Sequence, residues 1–114
     1  MEVNMNTSIK GYGEGVVTFG ADSTVKVGAA VKINGNNSVT ACAKGDDFIG
    51  VCVGVRGDYA AVQIAGYAEL STTGNTPVGY KGIRALNDET VGVDDDGKKY
   101  WVVYSSGNTI GIIL

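Results

Sequence analysis

The chain has 114 residues, among them 18 glycines, one proline and no histidine, with 9 basic and 12 acidic residues for a net charge of −3. That length fits one domain whose modest core buries roughly two thirds of the unfolded surface. Lack of histidine excludes a Ser-His-Asp triad, a Cys-His dyad and a Cys/His zinc site. No basic cluster exceeds Lys98-Lys99, which argues against a nucleic-acid surface, and no apolar run approaches the ~18 residues of a membrane span.

Residues 1–15 are polar and glycine-containing and read as an extended N-terminal arm, with residues 16–114 forming a single β domain. Val3, Met5, Ile9 and Tyr12 are isolated apolar residues in the arm that can dock on a neighbour; a frayed terminus explains them equally well. No basic segment followed by an apolar one opens the chain, so no secretory signal is expected and the protein reads as intracellular when made. Short strands are predicted over residues 16–19, 30–33 and 38–43. Asn34-Gly35-Asn36-Asn37 is the clearest hairpin turn, because Asn and Gly tolerate positive φ.

Residues 48–70 are the most strand-like stretch. They predict a long hairpin turning at Arg56-Gly57-Asp58, with Val51, Val53 and Val55 on one face of its first strand. Val62, Ile64, Gly66, Ala68 and Leu70 then share a face of the second, with Gln63 and Glu69 on the wetter side. A helix over residues 59–65 loses, since flanking glycines each cost about 1 kcal/mol in a helix interior.

A polar linker at 71–77 follows. Residues 78–86 contain one short strand, and further strands are expected at 90–93, 100–104 and 109–114. The result is an all-β chain, a small glycine-rich β-barrel or sandwich of about eight to ten short strands. Val27-Gly28 and Val78-Gly79 each open a strand, turn and returning strand. Either two related hairpin units pack as halves of one barrel, or a Gly/Val-rich chain repeats itself by chance.

Few residues promise chemistry. Asp94-Asp95-Asp96-Gly97 invites comparison with a calcium loop, but the twelfth position is Ser105 where an EF-hand needs Glu. It reads as a solvated turn, so no metal and no cofactor is expected. Nothing forces a pair of carboxylates together, and Gly11-Tyr12-Gly13-Glu14-Gly15 lacks the Lys-Ser/Thr of a phosphate loop. No enzyme is expected. Cys42 and Cys52 fit two buried thiols, with a disulfide or a reactive thiol as the alternatives. Tyrosine-rich surfaces suit interfaces that are wet before assembly and dry after it, which makes Tyr67, Tyr80, Tyr100 and Trp101 candidates for a subunit interface. Tyr100 and Trp101 fall on opposite faces of one strand, and core packing is the plainer expectation for Trp101.

The succession Val27-Gly28, Ile49-Gly50-Val51, Val62-Gln63-Ile64-Ala65-Gly66-Tyr67-Ala68-Glu69-Leu70, Val78-Gly79, Val91-Gly92-Val93 and Ile110-Gly111-Ile112-Ile113-Leu114 resembles the small capsid decoration, or cement, proteins of tailed bacteriophages. The resemblance covers roughly residues 15–114. It implies a small β-barrel that binds the outer shell of an icosahedral head, commonly as a trimer, and stabilises it. The partner is then the major capsid protein, and the location is the virion surface after assembly in the host cytoplasm. The arm residues Val3, Met5, Ile9 and Tyr12 become capsid-binding through strand addition to a capsid-protein sheet. Another small virion part remains an alternative, as does a β-barrel module that binds carbohydrate or peptide through a concave surface lined by Tyr67, Tyr80, Tyr100 or Trp101.

Overall fold

A computed structural model describes residues 15–114. The expected arm, with Val3, Met5, Ile9 and Tyr12, lies outside the described residues except for Gly15. The described chain is all-β, with no helix among these residues and ten strands: β1 (Gly15–Ala21), β2 (Ala30–Gly35), β3 (Ser38–Ala41), β4 (Gly50–Arg56), β5 (Tyr59–Ala65), β6 (Tyr67–Ser71), β7 (Gly79–Ala85), β8 (Val91–Val93), β9 (Lys99–Ser106) and β10 (Thr109–Ile113). The first five close into a barrel in the order β1-β3-β2-β4-β5, and the last five form a sheet in the order β6-β10-β9-β7-β8.

The two sheets repeat one plan. In each, the second and third strands are an antiparallel hairpin, the second also pairs with the fourth, the fourth with the fifth, and the fifth with the first. A parallel contact between first and third strands closes the barrel at Gly20↔Ser38 and Ala21↔Val39. Its counterpart is the single bridge Thr72↔Val91. Details match as well. Cys52 pairs with Val62 and Gly54 with Ala61, leaving Val53 as a bulge; Val102 pairs with Ile112 and Tyr104 with Gly111, leaving Val103 likewise. Gly57 and Gly107 take φ of 56° and 58° in the corresponding turns, a conformation that costs glycine little. The repeat heard in Val27-Gly28 and Val78-Gly79 is therefore structural, but its units are not halves of one barrel. Each hairpin belongs to its own five-stranded unit.

The long hairpin needs two corrections. Its second strand is broken at Gly66, which has φ 89°, so residues 59–65 finish the barrel and residues 67–71 begin the second sheet. Nor do Val51, Val53 and Val55 share one face: the Val53 bulge shifts the alternation, so that Val55 pairs with Ala60 on the side of Cys52 and Val62. Val53 and Val55 are exposed.

Gln63 is the other surprise. Expected on the wet side, it is 6% exposed. Its Nε2 donates to the carbonyls of Ala65 (3.0 Å) and Tyr67 (2.8 Å), on either side of the break. Its partner across the ladder, Val51, packs in the core shared with the second unit, which explains why this face of β5 is dry.

Two clusters of side chains hold the fold. Val25, Val31, Val39, Cys52, Ala60 and Val62 fill the barrel, with Phe19 and Ala21 against them. The larger cluster lies inside the second unit, including Leu70, Ile83, Val102, Ile110 and Ile112, and it takes in Ala30, Cys42, Phe48 and Val51 from the first. That shared cluster joins the two units.

Candidate functional site

One surface row stands out on the second unit. Register places Tyr80 of β7 beside Trp101 of β9, Trp101 beside Ile113 of β10, and Ile113 beside Tyr67 of β6. Directly paired residues share a face of a sheet, so the four form one line across four strands. Tyr80 is 54% exposed and Trp101 57%, and Ile113 is exposed beside them. The Tyr80 and Trp101 rings lie 5.1 Å apart at 38°, and the Lys99 ammonium sits 5.7 Å from the Tyr80 ring centre, a weak cation–π contact. Tyr104 and the bulged Val103 add exposed apolar area next to the row.

Tyr67 is held at the end of the row. Its hydroxyl donates to Glu69 Oε2 at 2.9 Å, and its ring lies across Gly111, where a Cβ would come within 2.6 Å of the ring carbon Cζ. A glycine in β10 thus makes room for the ring. Tyr100 leaves the set: it is 4% exposed, stacks on Phe48 with centroids 5.2 Å apart at 7°, and donates its hydroxyl to the Phe48 carbonyl at 3.4 Å. The inward residue of the pair is Tyr100 and the outward one Trp101, the reverse of the plainer expectation for Trp101. Strand register and the β9–β10 bulge are what bring Ile113, Val103 and Tyr104 beside Trp101, a juxtaposition that the sequence pattern does not show.

Three of the acidic residues tie loops to the strands. Asp22 accepts from the Thr24 hydroxyl, the Thr40 hydroxyl (2.7 Å) and the Thr24 N–H (3.0 Å), which in that order hold its carboxyl below the usual range. Asp46 takes Lys32 (2.7 Å) and the Ala43 N–H (2.8 Å), and Asp47 takes Arg84 (3.1 Å). Both are shifted down, chiefly by those side-chain partners. Among the described residues no group of three His, Cys, Asp or Glu side chains stands close enough to hold a metal ion. Both cysteines are free and buried, and burial pushes the Cys42 thiol up to about 11. A shallow groove of about 470 Å³ on the barrel is lined by Thr18, Gly54, Val55, Arg56, Tyr59, Ala60 and Ala61.

Alkali should find the two held tyrosines. Burial, with the Glu69 carboxylate second, pushes Tyr67 up to about 12; burial, with Asp47 second, does the same for Tyr100. A group whose folded pKa is raised stabilises the fold fully below its unfolded value, and that contribution is lost as pH rises through the folded one. Stability should therefore fall between about pH 10 and pH 12. Ultraviolet titration should show a late tyrosinate step that Tyr67→Phe and Tyr100→Phe each reduce. A single step at the free-tyrosine pKa would refute this.

No known protein-family model matches this chain, and no curated protein does either.

Proposed function

We propose that the chain is a structural protein of a tailed-bacteriophage particle that decorates the outer capsid surface and stabilises the shell. It works by adhesion, with the major capsid protein as partner, and turns over no substrate. It assembles as a homo-oligomer, a trimer on the pattern it resembles, first in the host cytoplasm and then on the virion. The observation that carries this reading is the row of Tyr80, Trp101, Ile113 and Tyr67 across an all-β sheet, the first three of them exposed. Aromatic residues of this kind dominate binding energy when an interface dries. Support also comes from the barrel, which closes from Gly15 onward. A small β-barrel is what the resemblance implies, and the proposed anchors on the shell are the arm residues Val3, Met5, Ile9 and Tyr12.

Co-sedimentation with mature phage heads tests the proposal. Full-length protein should pellet with heads, whereas a chain lacking residues 1–14 should keep its thermal midpoint and stay in the supernatant. If the full-length protein stays behind, shell binding is wrong; if the shortened chain still pellets fully, the arm is not the anchor.

The tilted Tyr80–Trp101 pair favours a second reading, a module that stacks sugar rings or an extended peptide on this face. Saturable quenching of Trp101 fluorescence by a soluble glycan or peptide, without head binding, would select it.

A further inference from the structure

The two units meet within the chain through unlike surfaces. The first contributes the outside of its β2–β4–β5 sheet: Ala30, Val51 and Gln63 stand in line across those strands and are all buried. The second contributes the end of β7. Ala85 donates its N–H to the Asp46 carbonyl at 3.0 Å and accepts from the Gly45 N–H at 2.9 Å, and Arg84 pairs with Asp47 at 3.1 Å.

Each unit also carries the counterpart of the surface the other uses, and both counterparts are uncovered. On the ladder, Tyr80, Trp101 and Ile113 occupy the places of Ala30, Val51 and Gln63. In the hairpins, Ile33 opposite Val39 occupies the place of Ala85 opposite Val91. Ala85 is 1% exposed and Ile33 47%. The Val31 carbonyl accepts from the Ile49 N–H, so alternation turns the Ile33 N–H and C=O to that same side. There β4 pairs with β2 only at Ala30 and Val31, and among the described residues the Ile33 groups have no partner. They are the equivalents of the Ala85 groups that Gly45 and Asp46 satisfy. Charge follows the same pattern. Lys32, bonded to Asp46 at 2.7 Å, stands where Arg84 stands, and the loop before β9 carries Asp94, Asp95 and Asp96 where the loop before β4 carries Asp46 and Asp47.

We propose that a second copy of this chain covers these surfaces head to tail: the Tyr80–Trp101–Ile113 row of one copy seats on the Ile33 end of the barrel of the next, repeating between chains the contact that joins the units within one. Such a contact is heterologous, so it closes into a ring or continues as a filament according to its rotation. It rests on the internal repeat and not on shell binding, and it names surfaces for the homo-oligomer that the functional reading leaves unassigned.

Two variants of the full chain decide it, each in one exposed residue. Light scattering on size-exclusion peaks at micromolar concentration should find wild type as an oligomer. Trp101→Ser and Ile33→Asp should each be monomeric with an unchanged circular-dichroism spectrum. Mixed in equal amounts, they should form a species of twice the monomer mass and nothing larger, because one intact row meets one intact Ile33 end. Should Trp101→Ser fail to fold, Tyr80→Ser replaces it. A monomeric wild type, single variants that keep the wild-type mass, or a mixture that stays monomeric would each overturn the proposal; Ile33→Asp keeping the wild-type mass while Trp101→Ser is monomeric would overturn it in favour of a two-fold row-on-row contact. Head co-sedimentation is read separately, so the two proposals fail independently.

Discussion

Gly50→Ala should destabilise the protein by about 3 kcal/mol, lowering Tm by roughly 10 °C or more. At Gly50 the chain of β4 passes over the backbone of β5. A Cβ there would stand 2.2 Å from the Gln63 carbonyl oxygen and 2.9 Å from Val62 Cγ1, and the first of these is backbone that cannot swing aside. The strain falls on the short pairing of β2 with β4 in the barrel, because these strands share only the pairs Ala30↔Val51 and Val31↔Gly50. Moving Gly50 away from β5 pulls on both. Gly54→Ala is the matching control: it lies in the same strand, has no atom within 4 Å of its added Cβ, and should change stability by no more than about 0.5 kcal/mol. Urea denaturation of the two variants separates the cases. Equal midpoints would show that β4 has room at Gly50 after all.

Gln63→Leu comes next, at about 2–4 kcal/mol. Where the chain changes sheets at Gly66, the Gln63 amide donates to the carbonyls of Ala65 and Tyr67 on either side of the break. Leucine keeps the bulk and removes both hydrogen bonds, leaving the two part-buried acceptors without that donor. Gln63→Glu should be worse at neutral pH, since an ionised carboxylate there faces two carbonyl oxygens. Its folded pKa is then raised above the unfolded value of about 4.3. The stabilising protonated form is fully present below that value and is lost as pH rises through the folded pKa. Thermal melts of this variant should gain in midpoint from pH 7 to pH 5, while wild type should not. A Gln63→Leu midpoint equal to that of wild type would remove the clamp from the account.

The same residue shows where local pattern loses its grip. Alternation along residues 59–70 puts Gln63 opposite Val62 and Ile64, and a polar residue there reads as solvent-facing. Its dryness comes from the second unit, whose strands begin four positions later in the chain. Tyr100 and Trp101 pose a similar problem. Adjacent positions fix that they face opposite ways, and only the packing of Phe48 against one of them decides which goes inside.

The order of valine, isoleucine and tyrosine runs between glycine-rich turns was enough to determine an all-β chain, the rough position of most strands and the turns between them. These depend on contacts within a few residues: pleat alternation, β-branched side chains and glycines that take positive φ. Tertiary structure alone decided that the strands divide into two like units, that the long strand breaks at Gly66, and that Tyr80, Trp101, Ile113 and Tyr67 form one row. Each of those outcomes depends on register between strands distant in sequence, and a one-residue bulge at Val53 or Val103 shifts that register in a way no local pattern records.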